Sequence, residues 1–152
     1  MKTPVKILLA ALAFSTFMIG KAFAIEPIYT GWLSDQAVGG YDTVSYFTNG
    51  EPVKGSKDHK VTWNGATWLF SSAENKALFE ADPEKYAPQY GGYCAWAVAE
   101  VNEGYEGDPK IWKIVDGKLY LNNNDSVQER WNKDIPGFIE TANKNWPGLL
   151  SK

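Results

Sequence analysis

The chain has 152 residues, of which 44% are hydrophobic and 14% aromatic, and it carries a formal charge of −3. That apolar bulk suffices for one well-packed domain without cross-links, about 100–150 residues being the commonest domain size. An acidic chain with no basic run argues against nucleic acid and against anionic membrane surfaces as partners.

At the N-terminus Lys2 and Lys6 precede an apolar run over residues 7–19. The run is shorter than the roughly 20 residues that cross a bilayer. Ala22-Phe23-Ala24 then has the small-x-small pattern of a signal-peptidase site. Residues 1–24 are therefore expected to be a signal peptide, leaving a mature chain of 25–152, periplasmic or secreted, with no membrane span. Removing a leader with three lysines takes the formal charge from −3 to −6. Cys94 is the only cysteine and His59 the only histidine. One cysteine cannot close an internal disulfide. In an oxidising compartment it must be buried, metal-bound, cycling through oxidation, or paired with another chain.

Residues 25–40 lack a period and read as an extended lead-in, with Gly39-Gly40 permitting a tight turn. Tyr41, Val44 and Phe47 have helical spacing, predicting a short helical turn with Asp42 at its N-cap. Capping and a ligand role are equally open for Asp42. Residues 51–59 are polar and read as loop. Asn64-Gly65, flanked by Val61-Thr62-Trp63 and Ala66-Thr67-Trp68-Leu69-Phe70, predicts a hairpin with a two-residue turn. Its register sets Trp63 opposite Ala66 and Val61 opposite Trp68, with His59 near Phe70. Ser71-Ser72-Ala73-Glu74 is a capping box that starts a helix reaching about Glu80 and burying Ala77, Leu78 and Phe79. Asp82-Pro83-Glu84 is a second helix start.

Tyr90, Tyr93, Cys94, Ala97 and Val98 share one helical face, which predicts a helix opening near Tyr90 with Gly91 and Gly92 in its first turn. Each glycine there is unfavourable by roughly 1 kcal/mol relative to alanine. Such a pair implies close approach by another element, or by a small ligand reaching free N–H groups. The helix dipole would draw Cys94 toward thiolate, and the surrounding aromatic burial would oppose it. Both a reactive thiol and a buried hydrophobe remain open.

Residues 100–110 form a loop. A second hairpin turns at Asp116-Gly117, pairing Ile114 with Leu119 and Trp112 with Leu121. A helix then starts near Asp125 with Val127 and Trp131 one turn apart. The last helix runs from Ile135 to Trp146 and stops at Pro147-Gly148. No internal repeat is read. The expected fold is a small α+β single domain with two β-hairpins and several short helices.

Tyr41-Asp42-Thr43-Val44-Ser45-Tyr46-Phe47, the strand ending Trp68-Leu69-Phe70-Ser71-Ser72, then Asn75, Phe79 and Asp82-Pro83-Glu84-Lys85-Tyr86 together resemble the YHS domain. That family occurs in heavy-metal-transporting ATPases, metal-resistance proteins and multicomponent monooxygenases. The longer frame is similar to a secreted bacterial branch of it, making 25–152 a YHS-like domain with a C-terminal helical extension. Metal-associated members carry Asp-Pro-Val-Cys and Cys-Ser-x-x-Cys. Here those positions read Asp42-Thr43-Val44-Ser45 and Ser71-Ser72-Ala73-Glu74-Asn75, without the three cysteines. A hydroxyl and an amide are poor substitutes for thiolate with a soft metal.

Three functions follow as expectations. The first is a metal-binding protein, copper favoured, with Cys94, His59 and Asp42 as ligands. Gly91, Gly92 and Tyr93 would shape the site beside Cys94, and Ser45 beside Asp42. The second is a redox protein in which Cys94 is oxidised and an external small thiol resolves it. The third is a non-catalytic module binding a peptide or glycan. No Ser/His/Asp elbow or phosphate loop marks an enzyme.

Overall fold

Each turn signal in the sequence closes a hairpin with the expected register. In the first, β3 (Ser56–Trp63) pairs antiparallel with β4 (Ala66–Phe70), Val61 opposite Trp68 and Trp63 opposite Ala66. In the second, β5 (Asp108–Val115) pairs with β6 (Lys118–Asn122), Trp112 opposite Leu121 and Ile114 opposite Leu119. Asn64 and Asp116 take positive φ at 49° and 50°, followed by Gly65 and Gly117 at 80° and 74°. That is the backbone a two-residue turn requires. The structure is a computed structural model that describes residues 23–151. The signal-peptide expectation for residues 1–24 lies almost wholly outside them. No helix among the described residues is long and apolar enough to cross a membrane.

Around the hairpins lie β1 (Tyr41–Asp42), β2 (Val53–Lys54) and six helices: α1 (Ser45–Thr48), α2 (Ala73–Ala81), α3 (Pro83–Tyr86), α4 (Ala95–Glu100), α5 (Asp125–Trp131) and α6 (Ile135–Leu150). This is the α+β fold of hairpins and short helices that the sequence predicts. Several local expectations change. The segment 51–59 is not all loop, because β2 pairs with β1 and β3 begins at Ser56. Helix α2 buries only Phe79, leaving Ala77 and Leu78 exposed, since its nine residues offer one narrow face to the hairpin. Helix α6 continues through Pro147 to Leu150. Leu149 is buried in the core, and that packing carries the helix past a residue that normally ends one.

The absence of a repeat is overturned. Two units follow one another at a constant offset of 52 residues, from Asp42 to Cys94. The tight turns Ala37–Gly40 and Gln89–Gly92 correspond, with left-handed backbone at Val38 and Gly39 in one and at Tyr90 and Gly91 in the other. The pair Tyr41 and Lys54 recurs as Tyr93 and Glu106. Each hairpin has an irregularity at the same place, between Ser56 and Lys60 and between Asp108 and Trp112. The caps Ser72 and Asn124 correspond, as do Asp82 and Asp134. Phe79 and Trp131, both fully buried, anchor the equivalent helices.

Each unit builds its own core, and β6 joins them. Leu119 and Leu121 pack with Trp68, Phe70 and Phe79 in the first core, whereas Tyr120 packs with Trp131 and Val98 in the second. Strand alternation sends successive side chains to opposite faces, so one strand serves both. Helix α6 starts where α3 does in the first unit but runs on to Leu150 instead of ending after one turn. It covers the second core, and Asn145 Nδ2 donates to the carbonyls of Val98 (2.9 Å) and Ala99 (3.0 Å) at the end of α4.

Candidate functional site

Asp42 and Cys94 occupy equivalent places in the two units, each just before a short helix. Asp42 is fully buried. Its Oδ1 accepts from the backbone N–H of Val44 (2.9 Å) and Ser45 (3.3 Å). Its Oδ2 accepts from Ser71 N (2.8 Å), Ser71 Oγ (2.6 Å) and Asn75 Nδ2 (2.8 Å). The carboxylate thus closes the loop before α1 onto the start of α2. The N-cap of α1 is Val44 rather than Asp42, which holds the N–H groups of Val44 and Ser45 from before the cap and reaches α2 as well. Ser45 Oγ lies 2.7 Å from the Asp42 carbonyl and accepts from Val53 N (3.2 Å), tying β1 to β2. The positions at which metal-associated relatives are expected to hold cysteines are therefore a hydrogen-bonded structural cluster here.

Around Cys94 the same backbone frame recurs. The N–H groups of Ala97, Asn123 and Trp96 pull its thiol pKa down. They are the equivalents of Ser45, Ser71 and Val44, which hold the Asp42 carboxylate. Burial outweighs them and pushes the Cys94 thiol up, so the neutral thiol prevails near pH 7. Cys94 is 1% exposed, and its Sγ donates to Asn122 Oδ1 at 3.5 Å. Asn122 Oδ1 also accepts from Trp96 N (3.0 Å), and its Nδ2 donates to Gln128 Oε1 (2.6 Å). Where the first unit has Asn75, the second has Val127, which with Trp96, Val101 and Tyr105 lines an apolar cleft of about 220 Å³ beside the sulfur.

The expected helix from Tyr90 starts instead at Ala95, with Cys94 at its N-cap. Gly91 and Gly92 belong to the preceding turn, with φ of 61° and 87°. The approach to Gly91 is filled by the chain itself. A Cβ there would collide with the Pro27 carbonyl, and Tyr29 N donates to Gly91 O (2.9 Å). The glycine admits the chain's own lead-in segment. Tyr93 is buried between Tyr29 and Trp146, at ring-centroid distances of 5.3 and 5.8 Å, and belongs to the second core.

His59 lies half-buried in the irregular stretch of β3, between Ser56, which pairs with Phe70, and Lys60, which pairs with Leu69. It makes no hydrogen bond with Cys94 or Asp42. Among the described residues no group of three or more His, Cys, Asp and Glu side chains is placed to hold a metal. Copper does not fit this donor set: Asp42 is saturated with hydrogen bonds, Cys94 is a buried thiol, and with His59 they form no metal-holding group among the described residues.

A larger opening, of about 520 Å³, lies at the junction of the two units. The hairpin turn of the first unit supplies Trp63 and Asn64, α3 supplies Glu84, the turn before Cys94 supplies Gln89 and Tyr90, and the second unit adds Lys118 and Trp146. Sequence reasoning named none of these as a site. The signal was present in Gly39-Gly40-Tyr41 recurring as Gly91-Gly92-Tyr93, and Asn64-Gly65 as Asp116-Gly117. Two units side by side create a seam, and seams are where binding sites concentrate.

Residues 44–90 match the family model of the YHS domain. The chain carries a YHS domain. The match covers most of the first unit and ends at Tyr90, where the second unit's own turn begins. No curated protein and no solved structure matches the chain. Asp42, just before the matched residues, is a fully hydrogen-bonded group, and the second unit holds the thiol.

Proposed function

We propose that this protein is a non-catalytic binding module, acting in the periplasm or as a secreted protein, that takes its ligand in the groove between the YHS domain and the second unit. The observation that carries this reading is the groove itself: about 520 Å³, within the range of small-molecule sites, and lined by a tryptophan from each unit together with polar side chains. Copper binding and thiol redox chemistry are the weaker readings, since each needs an accessible thiolate and Cys94 is a buried neutral thiol. The basic, then apolar, N-terminus supports action outside the cytoplasm.

The test is a screen of the purified protein against a mixed library of short peptides and oligosaccharides, followed by backbone and indole N–H chemical shifts. Perturbations should cluster at Gln89, Lys118 and the indoles of Trp63 and Trp146, and persist in Cys94→Ser. Shifts centred on Cys94 when Cu(I) or Cu(II) is added, and lost in Cys94→Ser, would overturn the proposal in favour of the metal reading.

A further inference from the structure

The groove also carries the chemistry of its ligand, an inference that rests on the binding-module reading. Trp63 is braced from behind by Trp68 and Phe79, with ring centroids 5.6 and 5.8 Å away. Trp146 is braced by Tyr90 and Tyr93, both at 5.8 Å. Both indoles are half-buried, so each is a fixed apolar surface with one part left open. Fixed aromatic rings give large contact area with little further loss of rotamer freedom on binding.

Asn64, Glu84, Gln89 and Lys118 line the same opening as the two indoles. None of these four side chains has a hydrogen-bond or ion-pair partner among the described residues, although Glu84 and Lys118 carry opposite charges. A carboxylate only accepts, an ammonium only donates, and an amide does both. A ligand that uses all four must offer several groups that each donate and accept, together with an apolar face for the indoles. Hydroxyls on a saturated ring meet that description. The single acid and single base cancel, so a charged ligand would meet one repelling group.

We propose that the groove binds a neutral oligosaccharide, its C–H face on an indole and its hydroxyls shared among Glu84, Lys118, Asn64 and Gln89. A proline-rich peptide would also lie on the aromatic surfaces. Such a peptide offers mainly carbonyl acceptors, which give the Glu84 carboxylate no donor. The groove is open, so affinity is expected near the millimolar level.

The experiment titrates the purified protein separately with maltotriose, cellotriose, chitotriose and a proline-rich peptide, followed by tryptophan fluorescence and amide chemical shifts. At least one trisaccharide should bind, and binding should weaken roughly tenfold or more in Trp146→Ala and in Glu84→Ala. Glu84 is exposed and unpartnered, so Glu84→Ala keeps the thermal unfolding curve of the parent and separates lost binding from lost fold. Trisaccharide binding that is undiminished in Glu84→Ala would overturn the assignment to this groove. Peptide binding without saccharide binding would overturn the ligand class while leaving the binding module intact. Binding of none of the four would overturn both.

Discussion

Asp42 and Cys94 are one position used twice. The backbone delivers three N–H groups to each: Val44, Ser45 and Ser71 in the first unit, Trp96, Ala97 and Asn123 in the second. The first unit adds the side chains of Ser71 and Asn75, which complete the shell of a buried carboxylate. In the second unit Val127 stands where Asn75 does, and an apolar cleft lies beside a thiol that burial keeps neutral. Equivalent backbone donors thus support two electrostatic solutions, chosen by the side chains that face each group. A carboxylate can be buried where five donors converge, and a thiol is preferred where the neighbours are apolar.

The largest expected effect comes from breaking the first solution. Asp42→Ala leaves buried donors of Val44, Ser45 and Ser71 unpaired and should destabilise the protein by about 3 kcal/mol or more, read as a lowered midpoint in urea unfolding. Cys94→Ala removes a small apolar contact from the equivalent place and should destabilise by only about 1–2 kcal/mol. Equal losses for the two variants would break the comparison.

A smaller effect, of opposite sign, is expected one residue further on. Thr43 Oγ1 is buried without a partner, and the second unit has the apolar Ala95 at that place. Among the described residues the other buried side-chain polar atom without a partner is Trp131 Nε1, where the first unit has Phe79. Thr43→Val keeps the shape and removes the unpaired hydroxyl, so it should raise stability by about 1 kcal/mol in thermal or urea unfolding.

The smallest effect is in alkaline solution. Because the folded Cys94 thiol is raised above its unfolded value, the stability it contributes is fully present below the unfolded thiol's pKa of about 8.5. It is lost as pH rises through the folded value, where the native state ionises as well. The buried tyrosines Tyr46 and Tyr90 are shifted in the same direction from about 10, so their effect begins higher. Between about pH 8.5 and 10 the parent should lose stability with pH and Cys94→Ser should lose less. Identical slopes in that window would sink the assignment.

The sequence by itself determined the local structure. Asn64-Gly65 and Asp116-Gly117 set both hairpins and their register, because only a few residue types tolerate consecutive positive φ. Ser72 and Asp82 marked helix starts by supplying side-chain acceptors to free N–H groups. It misplaced the helix at Cys94 because Tyr90 itself adopts left-handed backbone, a conformation a tyrosine gives no sign of. It also left Asp42 and Cys94 as two members of one possible metal site. Only the tertiary structure separated them, since the offset of 52 residues becomes visible when the turns, strand irregularities and caps are laid over one another. The environment of each cap, and the groove at the seam of the two units, depend on residues brought together from distant parts of the chain. Burial and long-range partners decide what a carboxylate or a thiol can do, and no local pattern encodes them.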